Sequence, residues 1–196
     1  MSEIHNEDIR DLLDAIPVMP HALMVEYLTR QYQISYNKAR EIIYSACRKG
    51  ANRRPAAYAV NDGLAKADYL TMNSTLMKRN RAFRVACEFL PDSRTFSIPS
   101  VCPWLISFCF DGQVYNVCEF ERGNELIVAD MIRNTGVKKE MMPVSCRIAI
   151  MRPGAKRNLT TGCGIKFYCT VDDDFNLELT DEVPDSEVWN GVPIVD

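Results

Sequence analysis

Between residues 6 and 49 the apolar residues of this chain recur at every third or fourth position. From residue 95 onward they run in short blocks rich in β-branched and aromatic side chains. A helix repeats every 3.6 residues and a strand every two, so the first stretch buries one face as helices and the second does so as strands. The pattern predicts an α+β chain with helices gathered early and a sheet late.

Three helices are predicted in the first stretch. Asn6–Ile16 has a capping residue, acids in its first turn, and Ile9, Leu12, Leu13 and Ile16 on one face. Pro17 and Pro20 break it, and His21–Gln31 follows with Leu23, Met24, Tyr27 and Leu28 on one side. The polar link Tyr32–Ser35 then offers Ser35 as N-cap for a third helix, Tyr36–Lys49, stopped by Gly50. In that helix Ala39, Ile42, Ile43, Ala46 and Cys47 face the core, whereas Tyr36, Asn37, Lys38, Arg40, Glu41, Tyr44 and Arg48 do not. Asn52, Arg53 and Arg54 lead into a strand at Ala56–Val60, where a wing is expected.

Charge is segregated along the chain. Residues 21–84 hold 12 Lys or Arg against four Asp or Glu, and the flanking segments are acidic. One segment facing a polyanion would produce this pattern, as would a solvated basic face beside an acidic neighbour. Asn, Lys and Arg near the N-terminus of an exposed helix face reach base edges and phosphates in a major groove. The candidate DNA-binding residues are therefore Tyr36, Asn37, Lys38, Arg40, Tyr44, Arg48, Arg53 and Arg54.

This arrangement of three helices and a basic strand resembles the winged helix-turn-helix superfamily. It is more closely similar to the replication-relaxation type of proteins found on plasmids and conjugative elements of Gram-positive bacteria. The likeness rests on the lead helix, the helix pair joined by Tyr32–Ser35, Gly50 closing the third helix, and Tyr58-Ala-Val-Asn61 followed by Gly63. The resemblance implies a DNA-binding accessory or regulatory protein of a mobile element, with double-stranded DNA as partner. Winged-helix patterns also serve as protein-interaction modules, and the charge segregation is what favours DNA. The expected organisation is a winged helix-turn-helix over residues 1–70, a connecting helix within 71–92 and a small α/β domain over 93–196. The connecting helix, Asn73–Leu90, carries Leu76, Phe83, Cys87 and Leu90 on one face and Lys78, Arg79, Asn80, Arg81 and Arg84 on the other, and Pro91 ends it.

In the second half, Thr95–Ile98, Trp104–Phe110, Gln113–Phe120, Val144–Met151 and Ile165–Val171 are predicted strands, with Asp111-Gly112 as a tight hairpin turn. Asn124–Arg133 is a predicted helix with Leu126, Ile127, Ala129, Met131 and Ile132 apolar. Pro103 entering one strand, and Glu119-Phe-Glu-Arg-Gly123 closing the next, resemble the C-terminal part of the same proteins, which is similar to a restriction-endonuclease-like core. In an active nuclease of that class an Asp, a Glu and a Lys assemble a divalent metal and an attacking water. Here Trp104 stands where that Asp is called for and Glu121 where the Lys is. The expectation is a mixed-sheet scaffold without a cofactor. A nuclease reading would need Glu119, Glu121 and Asp111 with Mg or Mn, and Arg122, Arg147 or Lys166 would have to offset the paired glutamates. Asp172–Asp174 and Asp181-Glu182 read as a loop and a solvated terminus, and Pro184–Asp196 as a tail packing Trp189 onto the sheet.

The eight cysteines lie mostly in apolar runs such as those around Cys109 and Cys169, which predicts reduced core residues. Without a Cys-x-x-Cys pair, and with His5 and His21 far from the cysteines in sequence, zinc spacing is absent. No run approaches the roughly 18 to 20 apolar residues that span a bilayer, and Met1–Asp14 is acidic, unlike a secretory leader. A cytoplasmic bacterial protein is expected. A protein partner on the C-terminal half and a homodimer are both compatible with the pattern.

Overall fold

A computed structural model of the chain describes residues 6–48, 54–61, 63–93, 95–135 and 145–182. It is an α+β protein that divides into two compact units, Met1–Asp92 and Ser93–Asp196.

The first unit runs α1 (Asn6–Ala15), β1 (Val18–Met19), α2 (His21–Tyr32), α3 (Tyr36–Cys47), β2 (Tyr58–Val60), β3 (Gly63–Ala65) and α4 (Ser74–Cys87). Ile9, Leu12, Leu13 and Ile16 are buried, as the helical spacing of the first segment requires, and Glu7 and Asp8 sit in the first turn against the helix dipole. Ser35 caps α3, its hydroxyl accepting from the Lys38 backbone N–H at 3.3 Å. The helix ends at Cys47, and Lys49 and Gly50 lie outside the described residues.

The break between Pro17 and Pro20 holds a strand that the sequence reading missed. Val18 and Met19, both fully buried, pair with Ala65 and Leu64 in an antiparallel sheet ordered β1-β3-β2. Two residues are too few to display a period, and β3 is hardly longer. Gly63 makes this sheet possible: its φ is +133°, and a Cβ there would run into Met19 O and the Pro20 Cα.

Helix α4 corrects a second expectation. Asn80, Arg81 and Arg84, placed by sequence on a free basic face, are buried at 0, 4 and 9% exposure. Asn80 donates to Val18 O and Leu76 O, each at 2.9 Å, tying α4 to β1. Arg84 reaches Glu26 on α2 at 3.1 Å and Glu88 at 2.6 Å, and Arg30 reaches the same two carboxylates, each at 3.0 Å. These four charges close a ring between α2 and the end of α4. Arg84 tolerates its place because its guanidinium is paired while its stem packs as hydrocarbon. The helix stops at Cys87, three residues short of Leu90.

The second unit contains β4 (Phe96–Ser97), β5 (Ile106–Phe110), β6 (Gln113–Phe120), α5 (Glu125–Thr135), β7 (Cys146–Met151), a single 3-10 turn at Arg157–Thr160, β8 (Ile165–Val171) and β9 (Leu177–Glu182). The sheet order is β4-β5-β6-β7-β8-β9, with β6, β7 and β8 mutually parallel and the outer pairs antiparallel. Asp111 and Gly112, at φ 48° and 71°, make the expected tight turn between β5 and β6. Val128, Ala129 and Ile132 of α5 cover Cys118, Phe120, Ala149 and Tyr168 on one sheet face. Leu126, Ile127 and Met131, counted among the apolar residues of this helix, point outward and are exposed.

Two further corrections follow from the sheet. Asp181 and Glu182 belong to β9 and not to a free terminus; its acidic sequence hid it, since an edge strand needs only one apolar face and gains from charge. All eight cysteines are free thiols, but only Cys87, Cys118, Cys146, Cys163 and Cys169 are buried; Cys47 is half-buried, and Cys102 and Cys109 are exposed. Cys109 alternates with the buried Ile106 and Phe108 register and so faces outward. Among the described residues no helix is long and apolar enough to cross a membrane. Trp189 and the tail from Pro184 lie outside the described residues.

Gly63→Ala is expected to destabilise the chain by about 3 kcal/mol or more, because strain and steric overlap coincide there; urea denaturation measures it. Burial pushes the Glu88 carboxyl up, but hydrogen bonds and charge from Arg84 and Arg30 outweigh it and hold it below its ordinary value of 4.5. A depressed carboxyl stabilises the fold above its unfolded value, and that stabilisation is lost as pH falls through the folded one. The urea midpoint should therefore drop as pH is lowered below about 4.5, and Glu88→Gln should flatten that part of the profile.

Candidate functional site

Helix α3 is amphipathic, and its division decides what it can touch. Ala39, Ile43 and Ala46 are buried, and Ile42 and Cys47 half-buried, so the apolar stripe predicted from spacing turns inward. Asn37, Lys38, Arg40, Glu41 and Arg48 are exposed, with Tyr36 and Tyr44 at 59 and 68%.

Those rings organise the cations beside them. The Arg40 guanidinium lies 5.9 Å from the Tyr36 ring centre, and the Arg48 guanidinium 5.5 Å from that of Tyr44. Each pair is four residues apart, one helical turn, and an arginine resting on a ring loses less freedom when it meets an anion. Lys38 makes only a long exposed pair with Glu41, at 3.5 Å. The positive groups of this face are thus accessible and partly oriented.

Arg54 is exposed, and its carbonyl accepts from Arg10 Nη2 at 3.1 Å; Arg53 lies outside the described residues. Arg54 belongs to the chain entering β2, and Asn61, the described residue of the link from β2 to β3, is uncharged. Lys66, just past β3, is paired with Asp14 at 2.5 Å.

In the second unit the three carboxylates proposed for a metal do not converge. Asp111 occupies the turn before β6, and Glu119 lies six residues beyond Gln113 along that strand, about 20 Å away at strand rise. Glu121 lies past the end of β6, so it is not on the strand that carries Glu119. Its backbone N–H is bonded by Asn124 Oδ1 at 2.8 Å, and Glu119 is buried at 4% exposure. Arg147, expected beside these glutamates, donates to Cys163 O at 2.5 Å and lies 5.8 Å from the Trp104 ring centre.

A concavity of about 530 Å³, with no signal in the residue pattern, opens at the carboxyl ends of β7 and β8, with Arg152, Asp172, Asn176 and Glu178 in its lining. Two of its charges are engaged: Arg152 donates to Val171 O at 2.6 Å and Asp173 at 2.7 Å, and Asp172 accepts twice from Asn176. The outer face of α3 is the surface where unsatisfied chemistry accumulates.

Comparison with protein-family models, with curated proteins and with solved structures finds no match. Because the α3 face takes no part in packing, Asn37→Ala, Arg40→Ala and Tyr44→Ala should each change the urea unfolding free energy by no more than about 0.5 kcal/mol. A larger loss would mean that the face supports the fold.

Proposed function

We propose that this protein is a non-catalytic DNA-binding protein whose first unit is a winged helix-turn-helix, with α3 as the helix that enters the major groove. The observation that carries the reading is the outer face of α3, where Asn37, Lys38, Arg40, Tyr44 and Arg48 stand exposed with two arginines propped on tyrosine rings. The element order α1-β1-α2-α3-β2-β3, with β3 between β1 and β2, supports it, because a helix pair followed by a short hairpin is the layout of that superfamily.

Binding rests on fewer cations than the charge of residues 21–84 suggests. Arg30, Lys66 and Arg84 are paired with carboxylates, Arg81 is buried, and Lys78 and Arg79 are half-buried, so among the described residues the exposed cations left as the phosphate-directed set are Lys38, Arg40, Arg48 and Arg54. The resemblance to replication-relaxation proteins makes a regulatory or accessory role on a plasmid or conjugative element our reading of its biology. The second unit is then a scaffold similar to a restriction-endonuclease-like core and a surface for a protein partner. In support, Trp104 replaces the first carboxylate and β6 holds Asp111 and Glu119 apart.

Fluorescence anisotropy with mixed-sequence duplex DNA across a salt series tests this. Affinity should fall steeply as salt rises, and the Arg40→Ala, Arg48→Ala double variant should reduce the slope of log K against log salt by about 2. Failure of the wild-type chain to bind at low salt would remove the proposal.

A further inference from the structure

The two-sided division of α3 also ranks the residues within its exposed face. Successive helical residues are turned by 100°, since 3.6 make a turn. Taking buried Ala39, Ile43 and Ala46 as the inward direction, the stripe facing most directly outward is Asn37, Glu41, Tyr44 and Arg48. Arg40 flanks it on one side and Lys38 on the other, while Tyr36 lies beyond Arg40, nearly in line with Ile43. A helix laid in a groove with this stripe foremost shows the stripe to base edges and its flanks to the two phosphate walls.

Glu41 is the residue that this geometry makes informative. It is the only acidic residue of α3, its side chain is 71% exposed, and its ion pair with Lys38 is a solvent-exposed one of little strength. On a surface that merely tracks phosphates, a central carboxylate would be repelled by every sequence alike. An ionised carboxylate only accepts hydrogen bonds. In the major groove it meets acceptors on guanine and on thymine, and the amine donor it suits is that of cytosine N4. We infer that binding is sequence-selective and that Glu41 is a specificity-determining residue that accepts from a cytosine amine, while Arg40 and Lys38 hold the flanking phosphates. This rests on the DNA-binding reading above. Asn37, one turn earlier on the same stripe, is placed to read an adenine about two base pairs away.

The test is selection from a random-sequence duplex pool with the full chain, followed by anisotropy on the enriched duplex and on mixed-sequence duplex. Wild type should enrich a motif with a fixed C·G pair and discriminate against its replacement by about tenfold. Glu41→Ala should lose that discrimination while binding mixed-sequence duplex more tightly, because a negative charge has gone. Glu41→Gln should move the preference at that position toward adenine, a shift that a merely structural role would not produce. Circular dichroism confirms that both variants fold. Duplex binding by wild type with no enriched sequence, or an unchanged motif in Glu41→Ala, overturns the inference and leaves the proposed function standing. No binding at low salt overturns both.

Discussion

The ring formed by Glu26, Arg30, Arg84 and Glu88 is the interaction on which the geometry of the first unit depends. It joins α2 to the C-terminal end of α4, and Asn80 joins the same helix to β1. Helix α3 packs on α2, so the direction in which its outer face points is inherited from a helix pinned by these polar contacts. Ion pairs of this kind add little net stability over apolar contacts of the same shape, and leaving the largely buried Arg84 unpaired costs more than losing one of its more exposed partners does.

That pinning changes the electrostatic reading of the chain. Cations that look available in a list of charges divide into those that neutralise carboxylates within the unit and those left to solvent. Arg84 belongs to the first group and Arg40 and Arg48 to the second. The surface field that meets a polyanion is therefore concentrated on α3 and the chain before β2, a smaller patch than residues 21–84 as a whole. A smaller patch places more of the affinity, and any selectivity, on a few side chains.

In the second unit the governing constraint is the length of β6. It pairs antiparallel with β5 and parallel with β7, and its eight residues separate Asp111, in the turn before it, from Glu119 near its far end. Neighbours in sequence reading became distant in space because a strand is the most extended form of a chain. Arg147 is drawn instead to a backbone carbonyl and a tryptophan ring, contacts that no spacing rule anticipates.

Much was legible in the sequence where an element is long enough to repeat its own period. The buried stripe of α3, the limits of β6 and β8, the Ser35 cap and the Asp111-Gly112 turn all follow from local preferences that tertiary contacts did not need to override. By itself the sequence determined an α+β chain and an exposed polar face on α3, because amphipathic periodicity states which side must leave water. Tertiary structure alone decided that Val18 and Met19 form a strand, that LELTDE closes the sheet, and which arginines are free to bind. Pairing partners for two-residue strands and for buried guanidinium groups come from distant parts of the chain. No local pattern can specify them.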